Sequence, residues 1–256
     1  MKSLEVTLRD LREQGRKALV PYFMAGATPD WTRHVEAALV GGADAVEIGI
    51  PFSDPMMDGV VIQEAALRAL EAGTTLETIC AQLSQQRFSA PLIAMTYYNI
   101  FLHFGLERSA GRLAECGVQG AIVPDLTLEE SEEWRRYCDL HDIATIFLVA
   151  PSTTPERFAR LAAATQGFCY ASARMAVTGK AQGGGDAARV VEAVRATSDV
   201  PTYVGIGITT PDQAREAALD SDGVIIGSAL VQTILEGASP EQTEQFIRSF
   251  RRAIDE

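Results

Sequence analysis

A carboxylate inside an apolar run, with more acids on the loop that follows, is the first candidate for chemistry in this chain. Glu47 stands within Ala45–Ile50; Pro51 stops that run, and the loop Phe52–Gly59 carries Ser53, Asp54 and Asp58. An ionised, unpaired carboxylate costs several kcal/mol in apolar surroundings, so Glu47 is expected to keep its proton above the usual carboxylate range. An acid on the wetter loop should stay ionised. Two carboxyl groups in unlike environments make an acid–base pair. The plainer alternative has Glu47 as hydrogen-bonded core and Asp54 or Asp58 as the cap of a helix starting near Val61.

A second set of residues suits an anion. Gly205-Ile-Gly207 and Gly227-Ser228 each follow a short apolar run, and glycine lets backbone amides approach a phosphate without any basic side chain. Between them and the earlier strands lies the glycine-rich stretch Ser172–Gly185, the composition of a lid, in which Thr178 could orient a carboxylate and Gly179 could donate to phosphate. His34 and His141 fall on expected helices and His103 in or just past a loop, so no Ser–His–Asp arrangement or metal-ligand spacing is read. Lysine is scarce where strands end, which argues against a Schiff-base aldolase. Acid–base work by carboxylates remains.

The elements that must hold these residues alternate without a break. Strands are expected at Ala18–Met24, Ala45–Ile50, Leu92–Tyr97, Gly120–Pro124, Ala144–Val149, Gly167–Ala171, Thr202–Gly205 and Gly223–Ile226. Helices are expected between them: from a Thr28 cap to Val40, over 61–72 with a second piece Leu76–Gln85, and over Glu107–Cys116, Leu128–Leu140, Pro155–Ala164, Asp186–Ala196, Pro211–Leu219 and Ala229–Glu236. An amphipathic helix over Leu4–Gln14 precedes the first strand, and Ser239-Pro-Glu-Gln242 is a capping box opening a terminal helix. Short strands apolar on both faces indicate a parallel sheet. Eight strand–helix units within residues 1–256 predict a single (β/α)8 TIM barrel with extra N- and C-terminal helices, its site at the C-terminal ends of the strands.

Bulk properties narrow the partners. A net charge of −12 disfavours attraction to nucleic acid or an anionic membrane, and no apolar run is long enough to span a bilayer. Cys80, Cys116, Cys138 and Cys169 show neither disulfide nor metal spacing. Met1-Lys-Ser-Leu-Glu-Val has no signal-peptide core, so a cytoplasmic protein is expected.

Over essentially its whole length the chain resembles the alpha subunit of tryptophan synthase. Glu47-Ile-Gly-Ile-Pro-Phe-Ser-Asp-Pro, with Asp58-Gly59 after it, is that family's signature; Val20-Pro-Tyr-Phe, Met95-Thr-Tyr-Tyr-Asn99, Pro124-Asp125-Leu, Val177-Thr-Gly179, Gly205-Ile-Gly207 and Gly227-Ser228 support it. The resemblance implies retro-aldol cleavage of indole-3-glycerol phosphate to indole and glyceraldehyde 3-phosphate. It implies Glu47 as the general acid–base and Asp58 as the carboxylate on the indole N–H. Phosphate contacts carry over to Gly179, Gly207, Gly227 and Ser228, the indole pocket to Tyr22, Met95 and Tyr170 with Tyr97 close behind, and the lid threonine to Thr178. It further implies a beta-subunit partner in an alpha2beta2 complex, with pyridoxal phosphate in that partner, and no cofactor or metal in this chain. Docking would use the loop Phe52–Gly59, the loop after Asn99 and the lid. Val60 and Thr127 stand where family members often have proline, and Ala176 where glycine is usual, changes expected to alter lid closure or coupling. A stand-alone lyase releasing indole, and a weakly active subunit that mainly activates its partner, remain the other readings.

Overall fold

A computed structural model describes residues 4–172, 184–205 and 207–256, with backbone only at 184–186. Nine parallel strands occur among these residues: β1 (Ala18–Met24), β2 (Val46–Gly49), β3 (Leu92–Met95), β4 (Val118–Ile122), β5 (Ala144–Ile146), β6 (Leu148–Val149), β7 (Cys169–Ala171), β8 (Thr202–Val204) and β9 (Gly223–Ile226). They are ordered β5-β4-β3-β2-β1-β9-β8-β7-β6. The two ends of this order are consecutive in the chain, so β5 and β6 are one strand that changes partner at Phe147. Its first part pairs with β4 and its second with β7, and the Phe147 carbonyl accepts the Tyr170 N–H at 3.0 Å. The ring of eight strand positions thus closes as a (β/α)8 barrel.

Alternation along each strand sorts side chains into two layers. Ala18 and Val20 point into the barrel with Ala45, Ile93, Ile122, Ile146, Phe168, Tyr203 and Ile225; Leu19, Val46 and Ile48 face the surrounding helices. The same period places Glu47 and Gly49 inward. Phe168 and Tyr203 stack at 4.4 Å between ring centroids, and the N-terminal helix Leu4–Glu13 drives Leu4 and Leu8 into this inner cluster. Leu4 and Leu8 join residues at the strand starts, so the helix stoppers the N-terminal end of the barrel. At the outside, the capped terminal helix Pro240–Asp255 buries Ile247, Phe250 and Ile254. Arg251, itself buried there, bonds Asp44 at 3.0 Å.

Several local expectations change. The helix after β1 begins at Trp31 with Asp30 at its cap position, and Thr28 does not cap it. The strand expected to reach Tyr97 ends at Met95, and a helix Tyr98–Phe104, not foreseen, takes up His103. Its first amide, Tyr98 N–H, is satisfied at 2.9 Å by Asp125 Oδ1 from another loop. The expected helix Leu128–Leu140 divides into a 3₁₀ turn, Leu128–Glu130, and the helix Glu132–Leu140. Thr127 holds that turn through Glu130 at 3.0 Å, and Val60 lies in the first turn of the helix Val60–Glu71 rather than in a loop.

Candidate active site

The strand ends converge on one cavity of about 100 Å³ whose wall holds both carboxylates singled out from the sequence. Its wall includes Tyr22 from β1, Glu47 from β2, Met95 from β3, Tyr170 from β7, Asp58 from the loop after β2, and Gly205, Gly207, Gly227 and Ser228 beyond β8 and β9. Strand register explains much of this: Tyr22 pairs with Glu47 across β1–β2 and Gly49 with Met95 across β2–β3.

Glu47 is fully buried, and neither carboxylate oxygen hydrogen-bonds to a described residue. Burial alone pushes its pKa up to about 8. A buried acceptor pair left open toward a cavity costs stability and is tolerated where a ligand completes it. Asp58 is half-buried. Burial raises its pKa to about 6, and the Tyr97 hydroxyl, donating to Oδ2 at 3.2 Å, opposes that rise. The loop acid is therefore less wet than expected, yet the two groups still titrate apart in the expected order. Asp54 lies outside the cavity, exposed and bonded to Ser53. Neither Asp54 nor Asp58 caps the following helix, whose cap position is Gly59 without a side-chain bond.

Tyr97 does not line the cavity. It braces the Asp58 loop from behind, accepting the Met57 N–H at 2.9 Å and packing its ring on Phe52 at 5.1 Å. Tyr22 and Tyr170 do line it, each leaning over a glycine. A Cβ on Gly49 would stand 2.0 Å from the Tyr22 hydroxyl, and one on Gly205 would stand 2.3 Å from that of Tyr170. Burial, reinforced by Glu47 and Asp58, holds both phenols well above their ordinary pKa, so both are neutral.

On the other side, Gly207 has φ +87, and a Cβ there would meet nothing within 4 Å. Gly227 occupies the cap position of the helix Ser228–Leu235 and makes no side-chain cap bond. The first amides of that helix are left for a ligand. No lysine or arginine is among the described lining residues, and the donors they offer an anion here are amides and the Ser228 hydroxyl. Thr178, Gly179 and Ala176 lie outside the described residues. Ile62, Leu148, Ile208 and Ile225 also line the cavity and were not anticipated. Of these, Ile225 could have been found from inward alternation on its strand. No group of metal-binding side chains occurs among the described residues, and no described helix is long and apolar enough to cross a membrane.

The fold and this cavity define a (β/α)8-barrel enzyme with two carboxylates, Glu47 and Asp58, in the wall of its strand-end cavity. Residues 8–255 match the family described as tryptophan synthase alpha chain. The alpha chain of Streptomyces coelicolor is 42% identical over 238 residues, covering 91% of this chain and 88% of that one. The Thermobifida fusca alpha chain is 42% identical over 258 residues, covering 98% and 95%. Among solved structures, the tryptophan synthase subunit alpha of Legionella pneumophila superposes with a TM-score of 0.91 at 32% identity, covering 100% and 99% of the two chains. Mycobacterium tuberculosis tryptophan synthase gives 0.90 at 35%, covering 98% and 97%. The chain belongs to the tryptophan synthase alpha chain family.

Proposed function

We propose that the chain cleaves indole-3-glycerol phosphate to indole and glyceraldehyde 3-phosphate by a retro-aldol step at this cavity. The observation that carries the reading is Glu47, a wholly buried residue of the cavity wall with neither carboxylate oxygen bonded to any described residue. With a pKa near 8 it enters the reaction protonated. It gives its proton to C3 of the indole ring, and the resulting indolenine carries its positive charge on nitrogen, where ionised Asp58 accepts the N–H. The Glu47 carboxylate then takes the proton of the glycerol 3′-hydroxyl. The C3–C3′ bond breaks, its electron pair returns to the ring, and the oxygen becomes the aldehyde carbonyl. Glu47 ends protonated, as it began, so no cofactor or outside proton is needed.

Gly207, Gly227 and Ser228, with Gly179, are assigned to the phosphate, and Tyr22, Met95 and Tyr170 to the walls around the ring system. Tyr97 is assigned to hold Asp58, and Thr178 to meet it from the lid. The partner is a beta subunit holding pyridoxal phosphate, in an alpha2beta2 assembly located in the cytoplasm. The rim supports docking, because Met56 and Val60 are 75% and 77% exposed and Leu102 is 57% exposed. The test is indole release from indole-3-glycerol phosphate by the purified chain, repeated with a beta subunit, pyridoxal phosphate and serine. Slow cleavage that rises steeply with the partner is expected. Glu47→Gln and Asp58→Asn should each remove nearly all of it while the protein stays folded, and either variant keeping most activity would sink the assignment.

A further inference from the structure

Tyr22 is buried to 8% exposure, yet its hydroxyl has no hydrogen-bond partner among the described residues and its side chain forms part of the cavity wall. The geometry of the ring says where that hydroxyl points. At its root, the Cβ of Tyr22 lies 3.8 Å from where a Cβ would stand on Gly227, beside the helix start assigned to phosphate. At its tip the hydroxyl overhangs Gly49, so close that no side chain fits beneath it. Gly49 follows Glu47 by one full pleat on the same inward face of β2, about 7 Å further toward the loop end. The phenol thus bridges the phosphate end of the cavity and the carboxylate end. Asp58 and Glu47 are the two charged groups that act most strongly on it.

We infer that the Tyr22 hydroxyl is a hydrogen-bond donor to the reacting oxygen of the substrate, the same oxygen whose proton Glu47 removes. This rests on the reading of the site given above. A hydroxyl bound between Glu47 and Tyr22 gives its one hydrogen to the carboxylate and offers a lone pair to the phenol. As the C3–C3′ bond breaks, that oxygen gains charge before it becomes a carbonyl, and a fixed donor is worth more to the charged oxygen than to the starting hydroxyl. Tyr22 transfers no proton, because its environment keeps it neutral throughout. Gly49 is the other half of the device, since any larger residue would push the hydroxyl off this line.

Kinetics of Tyr22→Phe, measured with and without the beta subunit, test the inference. The substitution keeps the ring and removes one oxygen. The expected result is a kcat lowered roughly tenfold or more with KM nearly unchanged, the signature of an interaction made in the transition state. The urea midpoint should stay close to that of the wild type, which separates this from a packing defect. A kcat within about twofold of wild type, or a loss confined to KM, overturns the proposal. Wild-type protein that releases no indole overturns the assigned reaction itself and the proposal with it; active wild type with unaffected Tyr22→Phe overturns only the proposal.

Discussion

The Tyr97 hydroxyl donates to Asp58 Oδ2 at 3.2 Å while accepting the Met57 amide at 2.9 Å. One side chain from beyond β3 therefore fixes both Asp58 and the loop that bears it. Tyr97→Phe should cost about 1–3 kcal/mol of stability, the net worth of two hydrogen bonds, and leave the Met57 N–H without its partner. Because the phenol holds the Asp58 pKa down against burial, its removal should also raise that pKa above about 6. The acid limb of kcat/KM should move to higher pH; an unmoved limb with unchanged activity would show that the brace is idle.

The pH profile of the wild type follows from the two carboxyl groups. Glu47 must start protonated and titrates near 8, whereas Asp58 must be ionised and titrates near 6. The kcat/KM for indole release should trace a bell between these values. The acid limb also contains the second ionisation of the substrate phosphate, near 6, so the alkaline limb is the decisive one. Activity still climbing above pH 9 would exclude protonated Glu47 as the starting state.

Glu47 should also weaken the fold. Its folded-state pKa of about 8 lies above the ordinary 4.5, so the native protein binds the proton more tightly than the unfolded chain. Stability is then greatest below about pH 4.5 and is lost as pH rises toward 8, the penalty amounting to about 3 kcal/mol at pH 7. Glu47→Gln has no such ionisation. Its urea-unfolding free energy should gain on that of the wild type by about 3 kcal/mol between pH 5 and pH 8. Parallel pH dependences in the two proteins would mean that Glu47 is not desolvated as described. A variant that gains stability as it loses activity would mark the residue as held for chemistry.

Much of this was legible in order of range. Glu47 could be placed on a buried strand because the apolar run Ala45–Ile50 is a local fact, and the strand–helix rhythm gave the barrel. What escaped depends on contacts distant in sequence. The helix Tyr98–Phe104 starts where Asp125 of another loop takes its first amide, and nothing near Tyr98 announces that. The change of partner at Phe147 leaves no breaker in Ala144–Val149, because barrel closure and not the local residues imposes it. Tyr97 could be placed close behind the pocket, but its role as a brace requires knowing where Met57 and Asp58 come to rest.

Gly49 offers a steric test of the same wall. A Cβ there would stand 2.0 Å from the Tyr22 hydroxyl and 2.5 Å from the ring carbon that bears it, with strand backbone on either side. Gly49→Ala should therefore displace Tyr22, costing about 1–3 kcal/mol in unfolding free energy. Indole release should fall more than stability alone would explain. An alanine variant with wild-type kinetics would mean that the tyrosine can move aside at no cost.

Leu4 and Leu8, wedged among Phe168, Tyr203 and the strand starts, give the reaction chamber a floor. Among the described residues, a barrel stoppered below opens at its other end. In the proposed reaction, substrate comes in, and aldehyde and indole depart, through the rim formed by the loops after the strands. Any protein seated on that rim, where Met56 and Val60 project, stands across that opening. It can receive what leaves without the chain having to aim it.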